Sequence, residues 1–174
     1  MSKSLSSFNL FQSLKTSEIY DKIPRPIIIT DDIRTPENMG SIIRLGANIG
    51  ALKVIFVSNK ALEFKNYKIN KTASGAAQKT DWQIVEDFEL AINLLPKEYQ
   101  LIAIETSSDS ENIFKIQMPK NIAFVIGNEI KGISPDILSR IETKLHIPIP
   151  GTISSLNVTH ALSVALFEWF RQQI

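Results

Sequence analysis

A mostly parallel β-sheet covered by helices on both faces is the fold this sequence predicts, and three observations predict it. Short β-branched runs alternate with amphipathic or polar segments along most of the 174 residues. Most of those runs are apolar without interruption, which is the pattern of strands buried on both faces. The three least ordinary loops, residues 31–38, 127–133 and 150–157, each follow the end of such a run. Ligands of parallel sheets sit outside the carboxyl ends of the strands, so these loops are expected to converge on one edge.

Taken in order, Pro26-Ile27-Ile28-Ile29-Thr30 reads as the first strand and residues 31–37 as a polar loop. Asn38 is placed to cap a helix running to about Asn48, with Ile42, Ile43, Leu45 and Ile49 on one side and Gly50 just past its end. Lys53-Val54-Ile55-Phe56-Val57 is the second strand and leads into a lysine-rich segment. Trp82-Gln83-Ile84-Val85 and Leu101-Ile102-Ala103-Ile104 follow as strands, with a helix over 88–95 between them. Asn121-Ile122-Ala123-Phe124-Val125-Ile126 is a strand ending at Gly127. A short helix over 135–141 precedes a strand over 145–149, and a long apolar helix over 156–172 closes the chain. Residues 1–22 read as a helical or partly ordered extension and 23–174 as a single domain, with no internal repeat and no linker.

Composition removes whole classes of chemistry. The absence of cysteine excludes disulfides, thiolate metal sites and cysteine nucleophiles. Two histidines, His146 and His160, are too few for a histidine-based zinc site, and no metal is expected. The N-terminus has no signal core and no apolar run approaches the ~20 residues of a membrane span. The expectation is a soluble cytoplasmic protein with no membrane partner. A net charge of +1 gives no global footprint for nucleic acid. One local patch exists: Lys60, Lys65, Lys68, Lys71 and Lys79 stand against the single acid Glu63, with Phe64 and Tyr67 interleaved. Taken alone it reads first as a solvated surface.

Three blocks carry chemistry. In Thr35-Pro36-Glu37-Asn38-Met39-Gly40-Ser41-Ile42-Ile43-Arg44, Pro36 stiffens the loop and Gly40 permits a close approach to the first helical turn. Arg44 falls among apolar residues and calls for a carboxylate, phosphate or carbonyl partner; an ion pair with Asp31 or Asp32 is the structural alternative. In Gly127-Asn128-Glu129-Ile130-Lys131-Gly132, two glycines bracket a carboxylate at a strand exit. The block lacks the Gly-Lys-Ser/Thr ending of a phosphate loop, and its acid suits a cationic or hydroxylated ligand. In Ile147-Pro148-Ile149-Pro150-Gly151-Thr152-Ile153-Ser154-Ser155-Leu156-Asn157-Val158, a Pro/Gly loop joins a strand to a helix N-terminus. Such a loop can hold a small molecule through its main chain, with Ser155 and Asn157 adding neutral polar contacts.

In order and spacing, Asn38-x-Gly40-x-Ile42-x-Arg44, Gly127-x-Glu129-x-x-Gly132 and Ile147-Pro148 through Ser155-Leu156-Asn157-Val158 resemble the three motifs of the SpoU (TrmH-type) RNA ribose 2′-O-methyltransferases of the SPOUT class. The similarity runs over about 27–169, and Ser74-Gly75-Ala76 is similar to a short element that family carries between its first two motifs. The resemblance implies an α/β sheet with a C-terminal trefoil knot, a homodimer with sites at the interface, and S-adenosylmethionine bound by the knot. A knot breaks the usual un-knotted rule and is not something periodicity alone would give. By motif position Gly127, Ile147 and Leu156, with Ile104 or Glu105, would hold adenine and ribose. Arg44 would be the catalytic arginine, assisted by Asn38, Glu129, Ser155 and Asn157.

A guanidinium with a pKa above ~12 is a poor general base near neutrality. Its better-suited role is to hold the RNA phosphate or polarise the 2′-hydroxyl, the acceptor of the proton staying unassigned. Departures from the family pattern, such as Leu45-Gly46 after the arginine and Thr159 after Asn157-Val158, remove no group the chemistry needs. With no separate RNA-binding domain expected, the implied grip on RNA falls to Arg44, Lys65, Lys68, Lys71 and Ser74. The implied activity is methyl transfer to a 2′-hydroxyl of structured RNA, tRNA before rRNA. The alternative from another class is a non-catalytic knotted RNA-binding or assembly protein.

Overall fold

Seven strands pair in parallel into one sheet, in the order β3-β2-β1-β6-β4-β7-β5. They are β1 (Ile27–Asp31), β2 (Lys53–Val57), β3 (Trp82–Val85), β4 (Gln100–Ile104), β5 (Glu111–Asn112), β6 (Ile122–Ile126) and β7 (Thr143–His146). The structure is a computed structural model that describes residues 16–59, 66–153 and 155–174. The helices of those residues are α1 (Thr16–Tyr20), α2 (Pro36–Ile49), α3 (Asn66–Ala73), α4 (Phe88–Asn93), α5 (Pro135–Leu138) and α6 (Val158–Gln173), with a 3₁₀ turn at Ala76–Gln78.

Successive side chains of a strand point to opposite faces, and the sheet uses both. Ile28, Val54, Phe56, Ile102, Phe124 and Ile126 form one core with Ile42 and Ile43 of α2 and Leu162, Leu166 and Trp169 of α6. Ile27, Ile29, Ile55, Ala103, Ala123 and Val125 form the other with Phe88 and Ala91 of α4 and Ile137 of α5. Every residue of the central strands β1 and β6 is buried, which is why both read as unbroken apolar runs. Trp169 is wholly buried, and its indole N–H donates to the Pro119 carbonyl at 2.9 Å. On the N-terminal side the Tyr20 hydroxyl donates to the Ile49 carbonyl, and the Arg25 guanidinium lies 5.1 Å above the Tyr20 ring.

Several local expectations are corrected. Thr35, not Asn38, caps α2: its side chain accepts from the Asn38 backbone N–H, and Pro36 occupies the first helical turn. Asn38 is thereby inside the helix with its carboxamide available for other work. The strand expected over 145–149 is β7, which starts two residues earlier and ends three residues earlier, at His146, because Pro148 and Pro150 have no N–H to give to a ladder. The helix expected over 135–141 closes at Leu138, and the final helix starts at Val158 with Asn157 as its cap. Within the lysine-rich segment lies α3, a helix with two buried side chains, Ile69 and Ala73, one turn apart.

Helix α3 packs on α2 at Gly40. A Cβ there would lie 2.6 Å from both the Ile69 carbonyl oxygen and Thr72 Cβ, so the close approach read from the sequence is a helix–helix contact.

Candidate active site at the carboxyl edge of the sheet

The loops that follow β4, β6 and β7 meet at one edge and line a cavity of about 610 Å³, and the loop after β1 packs against the β6 loop beside it. Its walls are Ile104, Glu105 and Thr106 from the end of β4, residues 126–132 from the end of β6, and His146, Ile147, Ile149, Ser155, Leu156, Asn157, Val158 and Ala161 from β7 through the start of α6. All five residues expected to hold a cofactor (Ile104, Glu105, Gly127, Ile147 and Leu156) line it, as do Glu129, Ser155 and Asn157. Asn38 does not line it but reaches it through Glu129.

The loop after β6 is a tight hairpin whose shape the two glycines set. Asn128 and Gly132 exchange backbone hydrogen bonds of 3.0 and 2.9 Å. A Cβ on Gly127 would sit 2.0 Å from the Gly132 carbonyl carbon, so no larger residue fits. The Asn128 side chain donates to the Asp32 carbonyl at 2.7 Å and accepts from the Ile130 and Lys131 N–H groups at 2.9 and 3.1 Å. That one carboxamide, missed in the sequence, joins the β1 loop to the β6 loop. Glu105 fixes the far end: one carboxylate oxygen accepts from the Ile133 N–H at 2.8 Å and the other from the Thr106 N–H at 2.9 Å. The Asp31 carboxylate accepts from the Ser134 N–H at 2.7 Å.

Glu129 is held at the mouth. One of its oxygens accepts from Asn38 Nδ2 at 2.7 Å and from the Thr35 hydroxyl at 3.3 Å, and the other accepts from the Arg34 N–H at 3.5 Å. Partial burial pushes the Glu129 carboxyl up, but the hydrogen bonds from Asn38, from backbone N–H groups and from Thr35 outweigh it and hold it below the usual glutamate range. Glu129 is therefore an ionised, oriented carboxylate near neutrality. Thr35 was missed as a site residue, although a threonine before Pro36 is a recognisable helix start. The Asn157 side-chain oxygen accepts from the Thr159 N–H at 2.9 Å and from its hydroxyl at 2.6 Å, so this asparagine caps α6 while bordering the cavity.

Arg44 departs from expectation. It is exposed on α2 and lies outside the cavity lining. The ion pair considered for it does not form, since Asp32 pairs with Arg34 at 2.9 Å and Asp31 is engaged by Ser134. Among the described residues no hydrogen bond or ion pair engages Arg44. Lys68, Lys71 and Ser74 are likewise exposed, on α3 and the turn after it, whereas Lys65 lies outside the described residues. Among those residues no cluster of three or more His, Asp or Glu side chains could hold a metal ion.

A family model, the SpoU rRNA methylase family, matches residues 25–167. The chain belongs to that family. It is 28% identical over 161 residues to a tRNA (guanosine(18)-2′-O)-methyltransferase of Aquifex aeolicus, covering 90% of this chain and 74% of that protein. It is 29% identical over 147 residues to the 23S rRNA (guanosine-2′-O-)-methyltransferase RlmB of Xylella fastidiosa, covering 84% of this chain and 59% of that one. The chain thus spans only part of the length of these relatives. The crystal structure of the SpoU methyltransferase AviRb from Streptomyces viridochromogenes in complex with AdoMet superimposes with a TM-score of 0.76 at 22% identity, over 88% of this chain and 61% of that one. The SpoU fold expected from the sequence is the fold observed.

Proposed function

We propose that this domain is a cytoplasmic, homodimeric enzyme that transfers a methyl group from S-adenosylmethionine to a ribose 2′-hydroxyl of structured RNA, tRNA before rRNA. The observation that carries the reading is the cavity itself, which joins the exits of β4, β6 and β7 and presents a carboxylate oriented by Asn38 at its rim. The relatives named above methylate RNA at the same hydroxyl, and the family's knot would be formed by the segment through Ile147 to α6.

The residues present fit the cofactor. A volume of about 610 Å³ lies within the range of small-molecule sites. Ile104, Ile126, Ile147, Leu156 and Ala161 supply apolar walls for a purine, and Glu105 and Glu129 supply negative charge suited to sulfonium and ammonium groups. When bound, the cofactor supplies an electrophilic methyl on a sulfonium centre. The protein's own tasks are to orient and to exclude water. Gly127 and the hairpin it permits bring backbone to the cavity wall, and Glu105 keeps that hairpin in place. Glu129 and Asn38, one hydrogen-bonded unit, fix the rim against which the ribose is placed, with Ser155 and Asn157 lining the same cavity.

Arg44, Lys68, Lys71 and Ser74 would face the RNA backbone, where positive charge on adjacent helices tracks phosphates. Because Arg44 stands outside its own cavity, we assign it to the cavity of the partner subunit, where it holds a phosphate or polarises the 2′-hydroxyl. The half-exposed Phe167 on α6 is consistent with a surface that a second subunit covers. In a transfer assay with labelled cofactor and total tRNA, wild-type protein is expected to label RNA and Arg44→Ala to fail. Undiminished transfer by Arg44→Ala would remove that residue from the reaction, and calorimetry showing no S-adenosylmethionine binding would refute the reading as a whole.

A further inference from the structure

His146, which the sequence gives no role beyond being one of two histidines, has a defined part in its surroundings. His146, the last residue of β7, is half-buried and lines the cavity. Nδ1 lies 3.0 Å from the Ser110 hydroxyl oxygen and 3.2 Å from the Ser110 carbonyl oxygen. That hydroxyl has already committed its proton: it donates to the Ser107 carbonyl at 2.7 Å. It also accepts from the Ser107 N–H at 3.4 Å. Nδ1 therefore faces two acceptors. A lone pair there would oppose the Ser110 carbonyl oxygen, which can only accept. Only an Nδ1–H satisfies the Ser110 carbonyl, so the neutral ring carries its proton on Nδ1 and its lone pair on Nε2. Nε2 has no hydrogen-bond partner among the described residues.

We infer that His146 is a nucleoside-recognition residue whose Nε2, held as an acceptor by the Ser110 lock on Nδ1, takes a hydrogen bond from an N–H or O–H donor of the adenosine moiety bound in this cavity. The inference rests on the cofactor reading above and adds to it a polar contact supplied by a side chain. Two donors share this chemistry, the exocyclic amine of adenine and a ribose hydroxyl. Ser110 is a positioning residue: it touches no ligand and acts by fixing the tautomer.

The test has a spectroscopic and a binding arm, both on the full chain. Ring ¹⁵N shifts of the wild-type protein, with the two histidines told apart by His160→Gln, should show His146 protonated at Nδ1. A signal from the Nε2–H tautomer would overturn the proposal whatever any variant does. Calorimetry with S-adenosylhomocysteine should then show about a three- to tenfold weaker Kd for His146→Leu, the loss of one neutral hydrogen bond. Ser110→Ala should populate the other tautomer and weaken binding by less. S-inosylhomocysteine, which has a carbonyl in place of the amine, separates the donors. If it binds wild type and His146→Leu equally, the amine is the partner; if the difference persists, a ribose hydroxyl is. Equal binding of S-adenosylhomocysteine by wild type and His146→Leu refutes the inference and leaves the proposed function standing. No binding by wild type removes both.

Discussion

Replacing Asn38 by alanine should cost far more activity than stability. The substitution removes the 2.7 Å hydrogen bond from Nδ2 to Glu129 and nothing else of consequence, because the helix cap uses the Asn38 backbone N–H, which alanine keeps. A hydrogen bond to a charged acceptor contributes about 1.5–3 kcal/mol when shielded, but Glu129 is exposed and Asn38 only half-buried, which brings the contribution to about 1 kcal/mol or less. In a protein of this size that shifts Tm by roughly 2–4 °C. Activity is another matter. Glu129 would keep only the 3.3 Å contact to Thr35 and the 3.5 Å contact to Arg34, and a carboxylate so held can swing out of place. A displacement of about 1 Å at a positioned group costs on the order of 100-fold in rate. Methyl transfer to tRNA under saturating cofactor, paired with a thermal melt, measures both quantities. Transfer within about threefold of wild type, or a collapse of Tm that accounts for the loss, would refute the idea that Asn38 and Glu129 work as one oriented unit.

Further expectations follow from the same geometry. Gly127→Ala places a methyl 2.0 Å from the Gly132 carbonyl carbon, so chemical denaturation should show a loss of about 3 kcal/mol or more, together with loss of cofactor binding. Trp169→Ala should cost about 3–5 kcal/mol in the same experiment, since it empties a fully buried indole site and leaves the Pro119 carbonyl without its donor. The lowered pKa of Glu129 gives stability that is fully present above the unfolded glutamate value of about 4.3 and is lost as pH falls through the lower folded value. Glu129→Gln should flatten that acid limb of a pH–stability curve. Mixing Arg44→Ala with Leu156→Trp subunits should restore transfer that neither homodimer shows, if the arginine acts across the interface; no rescue would place Arg44 in its own subunit's chemistry or outside it.

Much of this arrangement was legible in the sequence because the sheet is parallel. Buried strands such as β1 and β6 announce themselves as unbroken apolar runs, and the loops after them must then share an edge. Every residue expected to hold a cofactor lines the cavity at that edge. What sequence reasoning misjudged turns on one or two atoms. Thr35 and Asn38 are both good caps, and Pro36 between them decided for Thr35, freeing Asn38 for Glu129. Strand β7 ended early because two prolines cannot donate to a ladder. Arg44 looked semi-buried from its neighbours Ile42, Ile43 and Leu45, yet helical geometry turns it outward while Ile42 and Ile43 face the core. The β5 edge, two residues long, is too short for any periodicity, and with it went the Ser110–His146 contact beside it.

The central claim is methyl transfer to a ribose hydroxyl, and the chemistry of the product tests it most directly. A 2′-O-methyl group blocks the hydroxyl that attacks the neighbouring phosphate, so a modified linkage survives alkali. RNA labelled by the purified protein and methyl-labelled S-adenosylmethionine should, after complete alkaline hydrolysis, release its label in dinucleotides. Label recovered in mononucleotides as a methylated base, or no label in RNA at all, would contradict the account.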